Sequence, residues 1–144
     1  MSDKGSVKRG VFHINGNVAT DLIESEVELR DGKVMATPLN QNKWSEISPE
    51  TLVSMTMFGF TRKLMDRVVS DFETFFAQPT EVLIKDEFLL PMLVNRMLHA
   101  NEIKLLVNTT NAKWYGITYK EDLENFKRAI ASMKQQGTYP AHLY

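Results

Sequence analysis

TLVSMTMFGF, residues 51–60, is a nearly continuous apolar run rich in β-forming side chains. A run without polar alternation predicts a strand covered on both faces. The sequence before it reads as strand and turn. VKRGVFHI, residues 7–14, predicts a strand, and NGN at 15–17 is a turn signal, since Asn and Gly tolerate positive φ. Residues 18–30 read as extended. RDGK at 30–33 predicts a second hairpin, leading to a strand at 33–37. PLNQNKWSEISPE, residues 38–50, is polar with two prolines and reads as a surface loop.

The sequence after it is mostly helical. From about residue 61, Leu64, Met65, Val68, Val69, Phe72, Phe75 and Phe76 recur at spacings of three and four, giving one broad apolar face that Pro79 ends. A second helix is predicted near 88–99, with Met92, Leu93, Met97 and Leu98 inward. Pro91 sits in its first turn, where a missing N–H costs nothing. EIKLLVNT, residues 102–109, predicts a strand, and residues 112–117 a shorter one. Thr118 and Glu121 have capping-box spacing and open a last helix. Its stripe is Leu123, Phe126, Ile130 and Met133, and Gly137 is its stop. The order is several strands, then strand-helix-helix-strand-strand-helix. It predicts an α/β or α+β fold, a mixed sheet covered by helices. The chain opens directly on a strand, which predicts neighbours missing on its N-terminal side.

The 144 residues predict one domain, 1–144, or part of one. Hydrophobic residues make up 43% and charged residues 24%, which argues against disorder. The net charge is -1 and the basic residues are scattered, so no nucleic-acid partner is expected. There are no cysteines, which removes disulfides, thiolate metal sites and a Cys nucleophile. The first fifteen residues lack a signal-peptide core, and no stretch reaches a membrane span. A cytoplasmic protein is expected.

Few residues announce chemistry. Glu24, Glu26, Glu28 and Arg30 alternate, so in one strand they share a face, with Ile23, Val27 and Leu29 on the other. A row of carboxylates can hold a divalent cation, but the solvated face of an antiparallel strand is the commoner outcome. His13, His99 and His142 have no partner at metal-ligand spacing and read as structural. No GxSxG, GxGxxG or GxxxxGK[ST] occurs. Met55, Met57 and Met65 read as core filler. Trp114, beside Gly116 and ahead of the Thr118 cap, reads as packing or as one wall of a site.

Several segments, in order, resemble one family. RGVFHI, LIES, VSMTMFGF, KDEFLLP and WYGITYKEDLENFKRAI, closing on GTYPAHLY, resemble the C-terminal half of sugar-phosphate nucleotidyltransferases of the glucose-1-phosphate thymidylyl/uridylyl type. The resemblance implies an α/β domain with a mixed, mainly parallel sheet flanked by helices. The implied reaction is transfer of a nucleoside monophosphate from an NTP to a sugar 1-phosphate, releasing pyrophosphate, with Mg²⁺ in the complete enzyme. It places Gly10 close to the sugar and gives Glu24 the sugar hydroxyls. Ser25 stands where a basic, phosphate-facing residue is expected. Thr56 is implied on the strand floor beneath the sugar, and Trp114 and Thr118 at the two ends of a site motif. Gly116 stands where the family has a metal-binding Asp, so no metal ligand and no cofactor is expected in this chain alone. No residue is assigned a catalytic role. The triphosphate-holding GxGTR segment has no counterpart, which implies that the chain is the acceptor half of an enzyme, completed by an N-terminal half. The alternative is a non-catalytic assembly or regulatory module of the same fold. Self-association of the chain is a further expectation.

Overall fold

A computed structural model of the chain describes residues 5–39, 41–113, 115, 117, 120 and 122–142. The chain divides into two compact units, Met1–Asn108 and Thr109–Tyr144. The first is built on one antiparallel sheet. Its strands are β1 (Val7–Asn15), β2 (Val18–Arg30), β3 (Lys33–Pro38) and β4 (Ser45–Glu46), in the order β1-β2-β3-β4. The β2–β3 turn places Asp31 at φ 50° and Gly32 at φ 77°. Two central residues with positive φ match the right-handed twist of flanking strands, so the DG pair sets this hairpin's register. β4 lies inside the segment expected to be a loop.

β2 is the spine. Its outer edge pairs with β3 over Ser25–Arg30, and Val18 bridges Leu106. Between those ladders the backbone is satisfied piecemeal. The Leu22 N–H donates to Asn95 Oδ1 (2.8 Å), and the Leu39 N–H donates to the Glu24 carbonyl (2.9 Å). A buried backbone group must find some partner, and here a side chain and a loop stand in for a strand.

The two faces of the sheet carry separate cores. Leu22 packs with Leu64 of α1 (Arg62–Phe76) and with Leu93, Val94 and Met97 of α3 (Leu90–His99). On the other face Val11, Val27, Val34 and Ala36 gather with Val7, Ile47 and Val53. A short helix, α2 (Thr80–Leu83), joins α1 to α3 and has no counterpart in the sequence reading. Pro91 lies in the first turn of α3 as expected, and Arg96 and His99 in its last turn suit the negative end of the helix dipole. Arg67 donates to Asp71 (2.7 Å) and to Glu102 (2.7 Å), and Arg96 donates to the other Asp71 oxygen (2.8 Å). This network ties α1 to α3.

The mainly parallel sheet is wrong for this chain: every ladder in the four-stranded sheet is antiparallel. The error begins at residues 51–60. The Phe12 N–H donates to the Leu52 carbonyl (3.0 Å) and the Ser54 N–H to the Gly10 carbonyl (2.7 Å), around one antiparallel Val11–Val53 bridge. The segment therefore lies along the free edge of β1 and does not form a buried central strand. Thr56 (φ 57°) then turns the chain, and Met57 is 92% exposed. The apolar content of the run goes instead into Phe58 and Phe60, whose stacked rings (5.2 Å between centroids) pack against the Leu22 core. Residues 102–109 likewise make only the bridge at Leu106. On α1 the broad apolar face is only partly covered, with Met65, Val69, Phe72 and Phe76 exposed. On α3, Met92 is exposed and Val94 takes a buried place.

The second unit contains α4 (Asp122–Gln135), which ends as its sequence predicts. Gly137 has φ 74°; its N–H donates to the Lys134 carbonyl (3.1 Å) and the Thr138 N–H to the Met133 carbonyl (2.9 Å). This reciprocal pair is a Schellman stop. The expected stripe of α4 includes no buried residue. The capping pair Thr118 and Glu121 lies outside the described residues. The described residues of 112–117 are in no strand. Among the described residues, no helix is long and apolar enough to cross a membrane.

Candidate functional site

Gly10 and Glu24 face each other across β1 and β2. The Gly10 carbonyl accepts from Ser54 and the Glu24 carbonyl from Leu39, both pointing away from the shared ladder. The two residues are therefore a non-hydrogen-bonded pair, the closer type, in which side chains on one face crowd together. A Cβ on Gly10 would stand 2.8 Å from Leu22 Cδ1, 3.2 Å from Ser54 Cβ and 3.4 Å from Glu24 Oε2. Packing alone thus favours glycine here, since a methyl would require Leu22 and Ser54 to give way. The absent side chain also lets the Glu24 carboxylate lie down over β1.

Glu24 is the unusual carboxylate of this face. Burial pushes its carboxyl pKa above the ordinary value, and the charges of Arg9 and then Lys8 pull it back only in part. No described residue donates a hydrogen bond to its carboxylate or to that of Glu26, whereas Glu28 has Arg30 and Glu46 has Lys33. A half-buried carboxylate with open lone pairs is suited to accept hydrogen bonds from hydroxyl groups.

Beside this pair, the Ser54 hydroxyl accepts from the Thr56 N–H (3.1 Å). That bond holds a turn whose β-branched residue sits in the left-handed region, a conformation costly for Thr and one that clusters at functional sites. Thr56 is therefore an exposed turn residue near Ser54, and the strand floor expected at this position does not exist.

The remaining expected residues separate from this pair. Ser25 is 3% exposed and sits on the opposite face of β2, its hydroxyl donating to the Ile23 carbonyl (3.0 Å). Trp114, Gly116 and Thr118 lie outside the described residues. Glu24, Glu26 and Glu28 do share a face, yet among the described residues no three His, Cys, Asp or Glu side chains converge as a metal site. His99, expected to be structural, accepts or donates at Asp21 Oδ1 (2.6 Å).

Three features were missed from the sequence. Ser54 carried no signal beyond lying in an apolar run. Asn95 interrupts the apolar stripe of α3, a hint that a polar group waits opposite it. The third is a cleft of about 390 Å³ between α1 and the start of α3, lined in part by Asp71, Phe75, Phe88, Met92 and Arg96. Of the residues expected in a sugar site, those that the structure describes (Gly10, Glu24, Ser25 and Thr56) do not line this cleft. Glu87, at its edge, lies 4.0 Å from Lys8 of β1.

No protein-family model matches the chain, and no curated protein matches it.

Proposed function

We propose that this chain supplies the acceptor side of nucleotidyl transfer to a sugar 1-phosphate, with Glu24 receiving the sugar hydroxyls over Gly10. The observation that carries the reading is the Gly10–Glu24 pair: a half-buried carboxylate, free of hydrogen-bond donors among the described residues, laid over a residue without a side chain. The resemblance of the ordered segments adds the reaction class. In that reaction a phosphate oxygen of the sugar 1-phosphate attacks the α-phosphorus of an NTP. The new P–O bond forms as the bond to pyrophosphate breaks, and the electron pair leaves with the pyrophosphate. This chain's part is to hold and orient the attacking group.

The described residues do not fit a magnesium site, and Gly116 has no side-chain ligand to give, so the proposal assigns the metal no ligand in this chain. NTP binding is likewise assigned to a separate N-terminal half. A cytoplasmic location belongs to the same proposal.

A second reading, a non-catalytic assembly module, draws on the exposed apolar row of α1, Met65, Val69, Phe72 and Phe76. Exposed apolar patches of this kind often mark interaction surfaces.

Thermal unfolding separates these readings. A ligand that binds only the folded form raises Tm, by about 2.7 kcal/mol of stabilisation at a hundred times its Kd. α-D-Glucose 1-phosphate should stabilise the chain, and NTP with Mg²⁺ should not. Stabilisation by NTP alone, or by neither, contradicts the acceptor reading. Concentration-dependent self-association with no response to sugar phosphate supports the module.

A further inference from the structure

Two helical rows of the chain are incompletely covered. On α1, Met65, Val69, Phe72 and Phe76 recur at spacings of four, three and four, and all are exposed. On α4, Leu123, Phe126, Ile130 and Met133 recur at spacings of three, four and three, and none is buried. Apolar residues that alternate between spacings of three and four form the seam of paired helices, where side chains of one row enter the gaps of the other.

Each row is flanked by charge at the same repeat, acidic on one helix and basic on the other. Asp66 follows Met65 and Glu73 follows Phe72; Lys127 follows Phe126 and Lys134 follows Met133. Both carboxylates are exposed, and neither has a side-chain partner among the described residues. Lys127 donates to Glu124 (2.9 Å) and Lys134 to the Ala141 carbonyl (3.0 Å), exposed contacts of a kind that exchange easily. In an antiparallel pair with Phe72 level with Ile130, Val69 falls level with Met133 and Phe76 with Phe126. That register brings Glu73 beside Lys127 and Asp66 beside Lys134, each offset by about 3 Å along the axis at the helical rise per residue. One register therefore satisfies both the apolar rows and the charges. Pairing α1 with another α1 would instead set Asp66 against Glu73, and like charges across an interface disfavour that partner.

We propose that the chain self-associates as a reciprocal pair, α1 of one copy receiving α4 of a second. The proposal takes up the α1 row of the assembly reading and names its occupant. It needs nothing from Glu24, so self-association and sugar-phosphate binding are separate readouts. The apolar layers supply the affinity, and the flanking charges set orientation and register.

Sedimentation equilibrium tests it on the full chain and on two charge-reversed variants, Asp66→Lys with Glu73→Lys, and Lys127→Glu with Lys134→Glu. The wild-type chain should be a dimer in reversible equilibrium. Each variant alone should dimerise at least about ten-fold more weakly, because both of its interfaces then oppose like charges. An equimolar mixture of the two should recover wild-type affinity to within a few-fold, because both interfaces of the mixed pair oppose unlike charges again. All four positions are exposed, so each variant should keep the helix content of the wild type by circular dichroism. Raising NaCl should loosen the wild-type dimer several-fold, a readout that needs no variant. Variants that dimerise as tightly as the wild type, a mixture no tighter than its components, or a dimer indifferent to salt overturns the pairing of α1 with α4 and leaves the assembly reading to another surface. A wild-type chain that stays monomeric overturns both.

Discussion

Leu22 and Glu24 stand two residues apart on the same face of β2 and meet opposite surroundings. Leu22 is 1% exposed beneath Leu64, Leu93, Val94 and Met97, and its partner across β1 is Phe12. Glu24 is half-buried, its partner is a glycine, and its carboxylate has no hydrogen-bond donor among the described residues. Strand alternation treats the two positions alike. What separates them is where the cover from α1 and α3 lies, and that cover is set by residues more than forty positions away in the chain. The same face thus changes from core to candidate site within one step of the pleat.

The contrast can be broken most severely from the core side. Leu22→Ala should cost about 2–5 kcal/mol, the range for truncating a fully buried leucine, measured by denaturant unfolding. A cost below 1 kcal/mol would mean that the helical layer does not rest on this residue. Gly10→Ala tests the boundary between the two positions. The added methyl meets Leu22 Cδ1 and Ser54 Cβ, and overpacking of this kind costs about 1–3 kcal/mol. It should also weaken sugar-phosphate binding by displacing Glu24.

Asn95→Ala comes next. It leaves the Leu22 N–H without its acceptor, and an unpaired backbone donor that is partly buried costs about 1 kcal/mol. Asn95→Asp should recover most of this, because a carboxylate oxygen also accepts.

The smallest effect has the opposite sign. Burial raises the Glu24 pKa, so ionisation disfavours the folded state. The stability linked to this group is fully present below its ordinary value of 4.5 and is lost as pH rises through the folded value. Glu24→Gln should therefore raise Tm at neutral pH while weakening ligand binding. Asp71 behaves in reverse. Arg96 and Arg67 hold its pKa below 3.8, so its contribution is present above that value and lost as pH falls through the folded one. A lower Tm for Glu24→Gln at neutral pH would place Glu24 among structural carboxylates such as Asp71.

The hairpins were legible because their signals are local. Asp31-Gly32 names its own turn, and the stop at Gly137 depends on residues within one helical turn. The run at 51–60 was misread because apolar content reports burial and says nothing about pairing direction. Its hydrogen bonds go to β1, a neighbour no periodicity identifies, and Thr56 breaks the extended conformation by a torsion its residue type disfavours. The exposed row on α1 was misread for a related reason, since a helical stripe does not say how much of it will be covered. In the candidate site, the Glu24–Glu26–Glu28 row was readable from alternation. The place of Gly10 opposite Glu24 followed only once the β1–β2 register was known. Ser54 carried no sequence signal beyond its apolar run, because its place beside Glu24 depends on the pairing of residues 52–54 with β1.

The most direct test is amide chemical-shift mapping of the ¹⁵N-labelled chain during titration with α-D-glucose 1-phosphate. The account predicts saturable shifts concentrated at Gly10, Glu24, Ser54 and Thr56. Shifts confined to Phe75, Phe88 and Met92 in the α1–α3 cleft, or none at any concentration, would contradict it.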